Sequence, residues 1–473
     1  MNDTDLKDLL ALLDGSLQVE DGKAQVKDAA RLRDTIHRLA EVSVLETGRR
    51  QGLARYLTRL AALACGIIPA SINDLYLARG RGEVPPIFTV PAINLRALSF
   101  NAARAVFKAA NEIQAGAFIF EIARSEMGYT DQRPAEYVTN VLAAAITQGF
   151  EGPVFIQGDH FQISAKRYAS DAETEVQAVR DLTKEAIAAG FFNIDIDTST
   201  LVDLSKASVP EQQTLNTHLS AMYTAYIRSL EPEGVTISVG GEIGEVGGQN
   251  STEEELRAYM EGYNAELDKV APGKTGISKI SIQTGTSHGG VVLPDGSIKE
   301  VSVDFDTLRK LSRIARKDYG LGGAVQHGAS TLPEEAFGKF PEAEAVEVHL
   351  ATNFQNMMYD RLPDSLREEM YAYLDEKHAS DRKAGMTDEQ FYYKTRKNAI
   401  GPFKAKLWNL APEKKMEIEQ AWEDQFSKLF HLLGLRDTQK YVTQTVHPPA
   451  IQPRLTTYLG ESVEGEEVGD LAD

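Results

Sequence analysis

Cysteine is almost missing: Cys65 is the one cysteine among 473 residues. No intrachain disulfide can form, and a cytoplasmic setting is expected. Cys65 sits in "LAALACGII", an apolar context that suits a buried, inert thiol better than a nucleophile. Basic residues are also in short supply, with 50 Lys and Arg against 69 Asp and Glu and a formal net charge of −19. No basic stripe breaks this deficit, which excludes nucleic acid as a partner, since phosphate binding draws on clustered Lys and Arg. No run of about 18 uninterrupted apolar residues occurs, so no membrane-spanning helix is expected. The opening stretch, "MNDTDLKDLLALLDG", is acidic and lacks the basic and apolar regions of a secretory signal. A GxGxxG dinucleotide fingerprint after a strand is missing too: the pairs Gly240-Gly241 and Gly247-Gly248 lack that context.

What remains is an ordinary globular composition, 42% hydrophobic and 25% charged. The first 80 or so residues read as helices, in "DLKDLLALL", "DAARLRDTIHRLAEVSVL" and "LARYLTRLAALA", each with apolar residues three to four apart. From about residue 87 short apolar runs alternate with helix-length segments: "IFTVPAINL", "AFIFEIA", "GPVFIQGDH", "FFNIDIDTS", "VTISVGGEIG", "KISIQTGTSHG", "GGAVQHGAS" and "EAVEVHLATN". Between them lie helical patterns such as "EVQAVRDLTKEAIAAG". Such alternation implies parallel strands joined by right-handed crossovers. Eight units close a (β/α)8 TIM barrel of the α/β class, with its site at the C-terminal ends of the strands; an open doubly wound sheet is the competing fold. The expected organisation is an N-terminal helical segment (1–84), the barrel (85–362), a C-terminal helical extension (363–445) and an acidic tail (446–473).

Ionisable residues recur where those strands end. The third carries Asp159 and His160, the fourth Asp195 and Asp197, the fifth Glu242, the sixth His288 and the seventh His327. Three histidines and several carboxylates from different strand ends suit a divalent metal with His ligands and a carboxylate surround. Glycines beside the histidines allow close backbone approach and free N–H groups for an anion. As neighbours on a strand, Asp159 and His160 are expected to point in different directions, leaving Asp159 free to act as a proton-transferring base.

In this order the segments "QGDH", "IDTSTL", "GEIGEVGG", "GTSHGG" and "VQHGAS" resemble the class II metal-dependent aldolases, over roughly residues 87 to 360. The resemblance implies Zn²⁺, or another divalent metal, on His160, His288 and His327, with Glu242 and Asp197 beside it. It implies Asp159 as the residue that handles the C4 hydroxyl proton in retro-aldol C3–C4 scission of a ketose bisphosphate, through a zinc-stabilised enediolate. Phosphate would be received around Gly289, Gly290, Gly328, Ala329 and Ser330, with Ser125 a further candidate, and Arg124 and Arg361 could add charge. His349 and Asn353 of "HLATN" stand where the family has Asn-x-Asp-Thr-Asp, and Ala329 and Thr331 replace two loop glycines. These departures concern the substrate rather than the metal, and they leave open a ketose 4-epimerase, or a non-catalytic partner of another aldolase chain. The expected partner is a small phosphorylated sugar, and the expected assembly a dimer or tetramer.

Overall fold

The computed structural model describes residues 4–244, 249–285, 293, 302–330 and 332–460. Eight parallel strands form a closed barrel: β4 (Val90–Asn94), β5 (Ile119–Ala123), β6 (Gly152–Gln162), β7 (Asn193–Asp197), β8 (Ser238–Glu242), β9 (Lys279–Ile282), β10 (Ala324–Gln326) and β11 (Glu347–Leu350). Each pairs with its sequence neighbour, and β11 closes against β4. All eight expected strands are present. The strands are almost wholly buried, as parallel strands covered by helices must be, and this is why they read as apolar runs rather than alternating ones.

The crossover helices carry their own stop signals. In Ala172–Ala189, Asp171 accepts a hydrogen bond from the Thr174 N–H, and Gly190 ends the helix in a left-handed conformation at φ 114°, the positions that a capping Asp and a C-terminal Gly favour. Phe305–Tyr319 repeats the arrangement with Asp304 and Gly320.

The N-terminal segment is not helical throughout, contrary to expectation. Its helices Thr4–Ala11, Ala29–Thr35, His37–Leu45 and Gly48–Ala64 are interrupted by an antiparallel hairpin of β1 (Leu17–Glu20) and β2 (Lys23–Val26). The turn is Asp21-Gly22 with φ of 50° and 73°, the pairing that a tight hairpin demands. A further strand, β3 (Ile67–Ala70), adds to the first residues of β6. Among the described residues it pairs on that side alone, which tolerates Pro69 with its missing N–H donor.

This segment covers the lower end of the barrel. The Ile72 N–H donates to Asn193 Oδ1 at the start of β7 (2.8 Å), and the Ser238 N–H, at the start of β8, donates to Ser71 Oγ (2.8 Å). The helix Asn73–Gly80 follows. Its buried Arg79 donates to the carbonyls of Phe88 and Ala345 just before β4 and β11, and its Tyr76 points into the barrel, where its hydroxyl donates to Glu347.

Beyond the barrel the chain is helical again, as expected. Asp364–Lys377 and Asp388–Thr395 are followed by the long helix Pro412–Leu432, which packs on the helix Ser99–Glu112 and is pinned by Trp422 Nε1 donating to the Phe354 carbonyl (3.0 Å). No helix among the described residues is long and apolar enough to cross a membrane.

Candidate active site

Strand β6 departs from regular pairing towards its C-terminal end, at Asp159 and His160. Gly158 pairs with Ile194 of β7, but the next pair is Phe161 with Ile196, so three steps on β6 face two on β7. One residue is extra, and His160 takes up the strain at φ 39°. This is a β-bulge, which re-aims side chains beside it. Gly158 is required there, since a Cβ would lie 2.4 Å from the Phe161 ring. The bulge corrects the expectation that Asp159 and His160 point apart. Both are buried at 4% and 2% exposure, with Asp159 Oδ1 3.9 Å from His160 Nε2.

Around them the strand ends converge. His160 Nδ1 lies 3.1 Å from Asp197 Oδ2 and 3.4 Å from Glu242 Oε2. The His160 ring is 4.3 Å from that of His327, which is 4.0 Å from that of His349. His327 Nε2 lies 3.0 Å from Ser281 Oγ. Asp197 is held by the backbone N–H and hydroxyl of Ser199 (3.0 and 2.6 Å) and by the Gln162 amide, so it orients the His160 ring. Asp159 is held by Asn94 Nδ2 on Oδ2 (2.9 Å) and faces His349 Nδ1 with Oδ1 (3.2 Å).

Charge in this closed space is strongly coupled. Burial opposes ionisation of Asp159, but His160 and His349 outweigh it and hold the carboxyl well below the usual range. Burial likewise opposes a charge on His160, and Asp159 and Glu242 overcome it, so the imidazole is raised well above its ordinary value. Glu242 is pushed up to about 7, by burial first and then by Asp197.

Three donor sets among the described residues lie close enough to share a metal: His160, Glu242 and His327; Asp159, His327 and His349; and, one layer deeper, Glu121, Glu347 and His349, each with its ligand atoms within 4.8 Å of one another. Imidazole nitrogens with a carboxylate, backed by a further carboxylate behind one histidine, fit a divalent ion such as zinc.

The remaining expected residues are distributed unevenly. His349 belongs to the cluster. Asp195 does not: it lies one layer deeper, its Oδ2 2.9 Å from Lys279 Nζ. Ser330 Oγ accepts from the Ala351 N–H (2.7 Å), leading into the helix Thr352–Tyr359. Gly328 has φ 68°, and Ala329 is fully buried. Asn353 and Ser330 line a cavity of about 370 Å³ with Leu332, Phe354 and Leu429. Ser125 is buried in the first turn of the helix Arg124–Tyr129. Arg124 is bound to Glu175 (2.5 Å), and Arg361 donates to the Met357 carbonyl. His288, Gly289, Gly290 and Thr331 lie outside the described residues.

Sequence reasoning missed the layer beneath. Glu121, Gln157, Lys279 and Glu347 fill the barrel interior, with Lys279 Nζ 2.8 Å from Gln157 Oε1 and in contact with Glu347. Barrel interiors are more often layers of branched apolar residues. The available signal was a charge set inside an apolar strand, in "FIFEIA", "SKISI" and "AVEVHL". Asn94 and Arg96, the latter paired with Glu126 at 2.6 Å, gave no such signal.

Histidines and carboxylates gathered at the C-terminal ends of the strands of a closed parallel barrel lie where barrel enzymes build their sites. The family description "Fructose-bisphosphate aldolase class-II" matches residues 87–406, and the chain belongs to that family, whose members are typically metal-dependent. Among curated proteins none matches it in sequence. Of solved structures, a probable tagatose 6 phosphate kinase from Sinorhizobium meliloti 1021 superposes with a TM-score of 0.54 at 14% identity, covering 74% of this chain and 100% of that one. A fructuronate-tagaturonate epimerase from Cohnella laeviribosi gives 0.54 at 12% identity, covering 91% and 98%. At such identities these likenesses show a shared fold.

Proposed function

We propose that the protein is a metal-dependent aldolase that breaks the C3–C4 bond of a phosphorylated ketose by retro-aldol cleavage. The observation that carries this reading is the convergence of His160, His327 and Glu242 beside Asp159 at the C-terminal ends of β6, β8 and β10. His160, His327 and Glu242 would hold the ion, with His288 as the further ligand that the family resemblance implies. A divalent ion bound there supplies Lewis-acid polarisation of the ketose carbonyl.

The protein side of the reaction falls to Asp159. Its carboxyl is held ionised by His160 and His349, and it can accept the C4 hydroxyl proton. The C3–C4 electron pair then remains on the ketose fragment as an enediolate, and C4 departs as an aldehyde. Asn94 on Oδ2 leaves Oδ1 to His349 and the substrate. Backbone N–H groups of 328–330 are suited to an anion at the mouth of the barrel.

A second reading, C4 epimerisation by cleavage and re-addition, is supported by the site's cations. Arg96 and Arg124 are each tied to a buried carboxylate, Glu126 and Glu175, which weakens the case for a strongly bound phosphate. The superposition on the epimerase structure also covers 91% of this chain, more than the barrel alone. Zinc-loaded protein incubated with fructose and tagatose phosphates, and with the free uronates, decides by product analysis. Triose phosphate supports cleavage; a C4 epimer without triose phosphate supports the second reading. In either case Asp159→Asn is expected to retain metal and lose turnover by about 10²-fold or more, and a variant within a few-fold of wild type removes Asp159 from the mechanism. The proposal places the enzyme in the cytoplasm as a homo-oligomer, which light scattering would measure.

A further inference from the structure

Beneath the site lies a buried chain of polar groups that the proton transfer itself does not use. Glu347 is fully buried, and its oxygens are divided between several partners. Oε2 accepts from the Tyr76 hydroxyl. Oε1 meets the Lys279 ammonium, Gln157 Nε2 at 3.0 Å and His349 Nε2 at 2.7 Å. The other ring nitrogen of His349, Nδ1, faces Asp159 Oδ1 at 3.2 Å and Glu121 Oε1 at 3.0 Å. His349 therefore has carboxylates at both nitrogens, in a ring 5% exposed.

We propose that Glu347 and His349 are positioning residues for Asp159, and that Tyr76 anchors them to the segment that covers the bottom of the barrel. An aspartate turns freely about its terminal torsion unless both oxygens are held. Here Asn94 holds Oδ2, and the N–H at His349 Nδ1 holds Oδ1. That grip is only as firm as the imidazole plane, which Glu347 fixes from the opposite nitrogen. Glu347 is in turn fixed by Tyr76 and Lys279. A carboxylate serving as base must be held to within a fraction of an ångström, and misplacement by about 1 Å can cost two orders of magnitude in rate. The N-terminal segment thus does more than close the barrel, because it supplies the last hydroxyl in a chain that ends at the catalytic carboxylate. A cluster that merely held the strands together would, when weakened, lower stability and leave turnover per folded molecule unchanged.

The inference rests on the reading of Asp159 as the C4 hydroxyl base, and two measurements on the full, zinc-loaded chain separate the two. Steady-state kinetics on fructose 1,6-bisphosphate compare wild type, Glu347→Gln and Tyr76→Phe, with metal content and circular dichroism recorded for each. Ring ¹⁵N spectra follow His349, its signals assigned by their loss in His349→Gln. Glu347→Gln is expected to lower kcat by about 10-fold and Tyr76→Phe by about 3-fold, with KM within about two-fold and metal content unchanged. The His349 ring signals are expected to move in both. If Glu347→Gln does not fold, Tyr76→Phe, which loses a hydroxyl and no ring, decides alone. Folded variants with wild-type kcat overturn the inference. If wild type turns over neither fructose 1,6-bisphosphate nor any of the ketose phosphates and uronates of the product analysis, the reading of Asp159 falls. The ring signals then decide the remainder: unmoved signals overturn the link from Glu347 to His349, and shifted ones uphold it.

Discussion

Replacing Lys279 with methionine tests how the barrel interior is held together. The side chain is 1% exposed, and methionine keeps most of its aliphatic stem while removing the charge. Glu347 would lose one partner and keep the Tyr76 hydroxyl, the Gln157 amide and His349. Asp195 fares worse. Its Oδ2 sits 2.9 Å from Lys279 Nζ, and the next cationic group, His349 Nε2, is at 3.7 Å. The variant therefore buries a carboxylate without a close partner. Removing one member of a buried pair costs about 3–5 kcal/mol, because the remaining charge keeps its desolvation penalty, whereas a lost neutral hydrogen bond costs about 1 kcal/mol. Domain stabilities run at about 5–15 kcal/mol, so Lys279→Met is expected to shift a urea transition of the metal-free protein far towards low denaturant with little change in slope. Adding Asp195→Asn removes the stranded charge, and the double variant is expected to recover about 2 kcal/mol or more, a non-additivity that marks direct coupling. A single variant within about 1 kcal/mol of wild type, or a double variant no better than the single, refutes this account.

Three further outcomes follow from the structure. His327→Ala is expected to remove the bound metal from protein purified without chelator, and elemental analysis that finds a full complement would exclude His327 as a ligand. Gly158→Ala pushes a Cβ to 2.4 Å from the ring of the fully buried Phe161, at an expected cost of about 1–3 kcal/mol; an unchanged melting temperature would show that the bulge can relax. Burial works against the Glu344 carboxylate, but Arg313 and Arg316 outweigh it and depress its pKa below the ordinary glutamate value of about 4.5. Its contribution is thus fully present above about pH 4.5 and is lost as pH falls through the depressed value. Glu344→Gln is expected to be less stable by about 1 kcal/mol at pH 7, with the difference vanishing in acid, and a difference that grows as pH falls would contradict the sign.

The barrel was legible in the chain because a parallel strand covered on both faces must be apolar for four or five residues, and the helices between such strands announce themselves by caps such as Asp171 and Gly190. Asp159, His160, Asp197, Glu242 and His327 were legible because each interrupts or ends an apolar run, where burial of a charge needs a reason, whereas His349 was marked only by its place in the family resemblance. The hairpin of the N-terminal segment also left a mark, Asp21-Gly22, but its strands of four residues each carry too little alternation to stand out beside long helices. The tertiary structure alone decided the rest. Nothing within "QGDHFQ" says that the ladder to β7 slips by one residue, because a bulge is a property of two paired strands; yet that slip turns Asp159 and His160 into the same space. Nor could sequence say that Lys279 would meet both Asp195 and Glu347, or that the Tyr76 hydroxyl would enter the barrel from below. Those meetings depend on strand register and on closure of β11 against β4, and both are set by packing between segments far apart in the chain, which no local pattern records.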